Sequence, residues 1–351
     1  MVNNIIFDDE YYQNLMHEFG YDPIKFGRIN FSLGDLNQDD LQRRWLCHHE
    51  GNLFAKLLND QGKGIISTGF GLSGVPHAGT LSQILRAITL QKAGLAVNMV
   101  LGDLDAYNGK AKSLDYTLEL AERYRNFVIN LGFDSSSPSI LRSQYKSLDV
   151  LRTSYIIGHY MDDQMFRNAE EDLHGFYKLN NKVDSDMSYR RKLSLNLMTA
   201  DFLYLNLEKG FDAVLVMLGV DEHKYVQFGK QTIENMKQDD SLKGFNMLLG
   251  GLYSPLIKGF YDYPKMSKSF PDSGITVDMS ADEIRKRIMD GEGESDKPEN
   301  NVVYQMMAAV SYLNKTQLEE NYQFCLSKSN KWKKAKTDYV DMLMEICSKW
   351  E

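Results

Sequence analysis

The stretch from Lys63 to Gly102 constrains the fold most. "KGIISTGFG" carries a short apolar run, Ile65 and Ile66, into a pair of glycines, the pattern of a buried strand ending in a turn. "LSQILRAITLQKAG" then places Leu81, Ile84, Leu85 and Ile88 on one helical face, with Gly94 as a stop signal. "AVNMVLG" (96–102) reads as a second strand, and "SLDYTLELAERYRNFVINLG" (113–132) as a long helix. Strand, glycine turn, helix and strand is the grammar of a parallel α/β sheet. "FDAVLVML" (211–218) predicts a further buried strand, with a helix after it in "HKYVQFGKQTIENM". Residues 140 to 210 read as mainly helical. So does the end of the chain, where Ser280 and Glu283 predict a capping box.

The first 62 residues are polar and mixed, with helical hints in which Leu41, Trp45, Leu53 and Leu57 fall near helical spacing. At 351 residues, 43% hydrophobic and 25% charged, the chain can bury a full core and divide into two domains. No apolar run approaches the length that spans a bilayer. The N-terminus "MVNNIIFDDEYYQNL" has no basic start with an apolar stretch and cleavage site, so no secretory signal is read. Cys47, Cys325 and Cys347 are scattered and form no CxxC, which suits a reducing compartment and offers no zinc site. A cytoplasmic protein is expected. The net charge of −8 disfavours a surface coated for nucleic acid but permits a local basic patch. "RKR" (285–287) and "KWKKAK" (331–336) are the candidates for phosphate contact. His48-His49 and the acidic run Glu170-Glu171-Asp172 have no partner at useful spacing. His159, Asp162 and Asp163 in "GHYMDDQMF" read as capping or surface residues, and no metal ligands are assigned.

Two segments carry chemistry. "TGFGLSGVPHAGT" follows a strand and opens a helix, so backbone N–H groups and the helix dipole face whatever binds there, which suits phosphate. It is neither a Walker loop nor a clean GxGxxG. His77 and Thr80 straddle the first helical turn, and Gly79 between them lets a flat ring approach the backbone. The pair can donate hydrogen bonds to a triphosphate without shuttling protons. Alone this HxGT is a weak signal. Its partner is "YDYPKMSKSFPDSG", in which Lys265 and Lys268 present two mobile ammonium groups that can neutralise a departing pyrophosphate. Ser267, Ser269 and nearby amides add donors. Together the two segments are a strong signal.

These residues resemble a class I aminoacyl-tRNA synthetase, closest to the tryptophanyl type and next to the tyrosyl type. "TGFGLSGVPHAGTL" resembles the "TGRGPS…HIGH" turn, "LMTADFLY" (197–204) resembles "LMAADILLY", "GVDEHKY" (219–225) a second nucleotide-side loop, and "KMSKSFPDSGITV" resembles "KMSxSxPNSAIxL". "HEFGYDPI" and the tail "KWKKAKTDYVDMLMEI" resemble the two ends of such enzymes. The resemblance implies a Rossmann-type catalytic domain over 63–275, an N-terminal helical extension over 1–62 and a helical C-terminal domain over 276–351. It implies ATP-dependent activation of an amino acid, tryptophan first, and its transfer to tRNA by a homodimer, with Mg2+ on the triphosphate. The implied catalytic residues are His77, Thr80, Lys265 and Lys268. ATP would lie against Gly69, Gly71, Gly79, Asp221, Met266, Ser267 and Ser269. The amino acid would lie against Ser67, Asp103, Asp105, Tyr107, Met198, Asp201 and Glu222, with Asp201 accepting from an indole N–H and the Met198 thioether against the ring.

The chain departs from the resembled pattern at Ser67, where the archaeal and eukaryotic enzymes have tyrosine, and at Phe70, where they have arginine. Val100 replaces a glutamine that reads the indole. Thr80 replaces the final histidine of HIGH, and Glu222 a glutamine. These changes leave adenylation in place and bear on the choice of amino acid. The rival readings are an adenylating paralogue with a non-tRNA acceptor and a non-catalytic paralogue that binds an amino acid or RNA.

Overall fold

Seven strands form one sheet among the described residues: β1 (Asp22–Pro23), β2 (Cys47–His49), β3 (Gly64–Gly71), β4 (Val97–Gly102), β5 (Ile140–Ser143), β6 (Ala213–Gly219) and β7 (Leu248–Ser254). Their spatial order is β1-β2-β7-β6-β3-β4-β5. This computed structural model describes residues 7–170, 175, 180, 187–293, 295 and 297–350. The strands from β7 to β5 are mutually parallel, while β2 runs antiparallel to β7 and β1 antiparallel to β2. From β3 the chain adds β4 and β5 on one side, then returns to lay β6 and β7 on the other. This is the doubly wound, Rossmann-type arrangement. Its topological switch falls between β3 and β6, so the loops leaving those two strands part and open a crevice.

The two central strands bury both faces, as near-continuous apolar runs must. Ile66, Leu215 and Met217 join one core with Ile84 and Phe127 from the helices Ala78–Lys92 and Leu114–Asn130. Ile65, Val214 and Val216 join a second core with Leu203 and Val226 from the helices Tyr189–Leu207 and His223–Lys237. Met306 and Leu343, from the helices Val302–Ala309 and Asn330–Cys347, belong to the first core. The C-terminal helical region therefore packs continuously with the sheet's first face. The expected capping box forms: the Glu283 amide donates to Ser280 Oγ and the Ser280 amide to Glu283 Oε2.

Two expectations change. The helical spacing of Leu41, Trp45, Leu53 and Leu57 is split between the helices Gln38–Arg44 and Gly51–Asn59, with β2 between them. The exposed edge of β7 takes β2 as its antiparallel partner, so the first 62 residues contribute strands as well as helices. The stretch from 140 to 210 begins with β5 before its helices.

Candidate functional site

The crevice at the switch point is a cleft of about 330 Å³. Gly69, Gly71, His77, Gly79, Thr80, Asp105, Met198, Asp201, Asp221, Glu222, Lys265, Met266, Ser267, Lys268 and Ser269 all line it. Two segments far apart in sequence close its mouth, and they are stitched backbone to backbone. Ala78 N–H donates to the Ile275 carbonyl at 2.9 Å, and Val277 N–H donates to the Pro76 carbonyl at 3.0 Å. His77 thus sits opposite Thr276 in an antiparallel bridge.

His77 caps the helix Ala78–Lys92. Its Nδ1 accepts from the Gly79 amide at 2.9 Å, which fixes the neutral tautomer and leaves Nε2–H as a donor. Gly79 has to be glycine for this: a Cβ there would lie 2.6 Å from His77 Cε1. Burial, reinforced by the cations of Lys268 and Lys265, pushes the ring down to about 3. A neutral imidazole that donates without releasing protons is what a polyanion needs.

The lysine loop folds on itself. Ser267 N–H donates to the buried Ser273 Oγ at 2.9 Å, and Ser269 N–H to Ser267 Oγ at 3.2 Å. Met266 is buried beneath them and holds the loop by its amide on the Ile257 carbonyl. Lys265 pairs with the buried Asp221. Lys268 Nζ donates to the Gly71 carbonyl at 2.8 Å. Burial lowers Lys268 to about 7, with Asp105 and Glu222 opposing the shift and Lys110 adding to it. An incoming anion would raise it again, so the charge of this side chain is coupled to occupancy of the cleft.

At the other end of the cleft Asp201 is buried on the helix Tyr189–Leu207. Arg142 from β5 lies 2.7 Å from its Oδ1, and Gln144 Nε2 donates to its Oδ2 at 2.7 Å. Burial raises the Asp201 carboxyl, while Arg142 and then Gln144 pull it down. Gln144 also accepts from the Asp105 amide at 3.0 Å, so one buried side chain ties together two carboxylate-bearing segments. Arg142, Gln144 and Ser273 were not singled out by sequence. They lie on short loops or a four-residue strand, and only the fold gives them a role. Glu170 pairs with Arg191, which also lines the cleft, while Glu171 and Asp172 lie outside the described residues.

Three expected residues do not line the cleft. Ser67 is buried within β3, where its Oγ accepts from Asn98 Nδ2 at 2.9 Å. Asp103 is consumed by the chain around it: it accepts from the amides of Leu104 and Tyr145, at 2.8 and 3.0 Å, and from Ser143 Oγ. Tyr107 points to the surface. Of the basic runs, Arg287 is spent on the carbonyls of Pro271, Asp272 and Gly274, clamping the lysine loop from behind. Lys336 is buried on Glu292 at 2.7 Å, which leaves Arg285, Lys286, Lys331, Lys333 and Lys334 exposed. Asp162 caps the helix Asp163–Asn168, as its capping reading expects.

The His77 assignment predicts that its ring shows no titration between pH 5 and 8. An NMR titration of its Cε1–H in the full chain checks this. A midpoint near the ordinary histidine value would contradict the half-buried, cation-flanked arrangement.

Residues 59–346 match the model of the tRNA synthetases class I (W and Y) family. A tryptophan–tRNA ligase of Thermoplasma volcanium is 25% identical over 280 residues, covering 79% of this chain and 57% of the relative. A tyrosine–tRNA ligase of Methanopyrus kandleri is 25% identical over 243 residues, covering 66% of each. The chain thus spans somewhat under two thirds of these relatives' lengths. The tryptophanyl-tRNA synthetase structure from Aeropyrum pernix superposes with a TM-score of 0.77 at 18% identity, covering 97% of this chain and 92% of that one, which supports the fold. With the family model spanning the parallel strands β3 to β7, both cleft-closing segments and the C-terminal helices, the chain belongs to the class I tRNA synthetases of the tryptophan and tyrosine group.

Proposed function

We propose that the protein activates an aromatic amino acid with ATP, tryptophan first, and transfers the acyl group to tRNA. The observation that carries this reading is the backbone bridge that sets the His77 turn and the Lys265–Lys268 loop on one cleft. The triphosphate would run between them, over the amides at the start of the helix Ala78–Lys92. The amino acid would enter beside Val100 and Met198, with Asp201 at its far end.

The substrate carboxylate is ionised at pH 7, so its attack on the α-phosphate needs no general base. Catalysis is positioning plus charge stabilisation. His77 Nε2–H donates to phosphate oxygen. Lys265 exchanges Asp221 for phosphate, and Lys268 exchanges the Gly71 carbonyl, as charge grows on the leaving pyrophosphate. A ribose hydroxyl of tRNA then attacks the acyl carbonyl of the resulting adenylate, forming the ester as the acyl–phosphate bond breaks and AMP leaves with the hydroxyl proton. Asp105 and Glu222 are the carboxylates best placed for the substrate ammonium, since Asp201 is held by Arg142. Mg2+ adds neutralisation of the triphosphate when bound. The metal would be carried by the phosphates and water rather than by a protein cage.

Asp201 selects for a ring that carries a donor. Its Oδ1, which faces Arg142 but receives no hydrogen bond, can accept from an indole N–H or a phenol O–H, and a ring without either leaves that buried oxygen unsatisfied. Amino-acid-dependent ATP–pyrophosphate exchange tests this: exchange is expected with tryptophan, and Lys268→Ala should lower it about 100- to 1000-fold. Asp201→Ala should lower kcat/KM for the amino acid about 10- to 100-fold. Exchange with phenylalanine as strong as with tryptophan would contradict the role of Asp201.

The helix Leu148–Ile157 supports the homodimer expected of such a chain. It leaves Leu148 72%, Tyr155 90% and Ile156 56% exposed, an apolar face that a second copy would cover. Light scattering should give twice the chain mass, and Tyr155→Glu with Leu148→Glu should halve it. A monomer in the unaltered chain would contradict this assembly.

A further inference from the structure

Lys268 does more than reach the Gly71 carbonyl. Its Nζ also lies 5.4 Å from the ring centroid of Tyr124, on the helix Leu114–Asn130. Tyr124 is fully buried, and burial raises its phenol well above the ordinary value, so it stays a neutral O–H. That hydroxyl donates to the Gly74 carbonyl at 2.9 Å, in the turn leading to His77. Phe70, at the end of β3, packs against the same ring at 5.2 Å. On another side the edge of Trp350 meets it at 5.2 Å, with an interplanar angle of 81°. Trp350 is itself wedged against Phe127 at 5.2 Å and covered by the Arg123 guanidinium at 4.6 Å. A single ring therefore touches the strand end, the His77 turn, the lysine loop and Trp350, three residues past the C-terminal helix.

The geometry points to Tyr124 as a positioning residue for Lys268, with Trp350 as the brace that holds its ring. An aromatic face attracts an ammonium most where water is excluded, and it does so without competing for the hydrogen-bond donors that phosphate will need. Carboxylates near Lys268 could do the same work only by competing directly with the incoming anion. The groups that face Lys268 from the surrounding elements are His77, Asp105, Lys110 and Glu222. Among them the charges oppose one another, and burial keeps the proton loosely held. The ring adds to the Gly71 carbonyl as a neutral contribution that favours the charged form. Because Trp350 belongs to the C-terminal helical region, a shift of that region against the sheet would be felt at Lys268 through one aromatic contact. This inference rests on the reading of Lys268 as a phosphate-binding ammonium.

The test measures Lys268 directly. Lysines of the full chain are reductively methylated with 13C-formaldehyde, the Lys268 signal is assigned by its absence in Lys268→Arg, and its titration is followed by NMR. Tyr124→Phe keeps the ring and should keep the midpoint. Tyr124→Leu removes the face and should lower the midpoint by about one pH unit. Trp350→Leu, at the rim of the cluster, should lower it in the same direction by less. The sign follows from the ring favouring the protonated form: without it the ammonium loses its proton at lower pH. The alkaline limb of pyrophosphate exchange should move with the midpoint. An unchanged midpoint in both leucine variants overturns the inference, as does an equal fall in Tyr124→Phe. If Tyr124→Leu does not fold, Trp350→Leu decides alone, and an unchanged midpoint there overturns it. Full exchange in Lys268→Ala would instead overturn the reading of Lys268, whatever the titration shows.

Discussion

Everything at the cleft depends on the two backbone hydrogen bonds that join residues 76–78 to residues 275–277. A helix N-terminus after a glycine turn is only a place where an anion could bind. A lysine-rich loop is only a mobile positive charge. Stitched together across the switch point, they become two walls of one site, and the sheet sets their separation. The clamp by Arg287 on three carbonyls extends this joint into the C-terminal region, so the loop is held from the front by the His77 turn and from behind by the helix Ala281–Asp290. Backbone bonds suit this role because their geometry survives changes of side chain on either strand.

The second constraint is electrostatic. The cleft gathers four carboxylates and three lysines in a partly dry space, where an unpaired charge is costly. The structure resolves this by pairing: Asp221 with Lys265, Asp201 with Arg142 and Gln144, Lys268 with the Gly71 carbonyl and a ring face. Pairs of this kind have two consequences. At the Asp201 end the pairing is buried, and under the proposed function it sets the polarity that a substrate ring would meet. At the lysine end the partners are a carboxylate and a carbonyl that phosphate oxygens can replace, so the stabilising charge is stored until the ligand arrives.

Local sequence carried the centre of the sheet and both cleft-closing segments, because each has a local physical signature. β3, β4 and β6 are apolar runs bounded by glycine, and the capping box at Ser280 is a pattern of adjacent residues. β7 was hidden by its glycines: "LLGGLYS" looks like a turn, yet a Cβ at Gly250 would lie 2.6 Å from the His49 carbonyl, so the glycine is there to let β2 pack against the strand. β5 is four residues long and carries Arg142, which disguises it as surface. Asp103 follows the end of β4, where ligand groups usually sit, and Ser67 lies within β3, but their oxygens are spent on the β5 loop and on Asn98. Gln144, Arg142 and Tyr124 could not have been found in the sequence, since each matters only through what the fold brings beside it.

The measurement closest to the central claim is hydrogen–deuterium exchange on the full chain, with and without ATP and Mg2+. If the His77 turn and the lysine loop form one nucleotide site, ATP slows amide exchange in both segments together, at residues 78–80 and 266–269, with the same dependence on ATP concentration. Protection of one segment alone, or of neither at saturating ATP, would contradict the account.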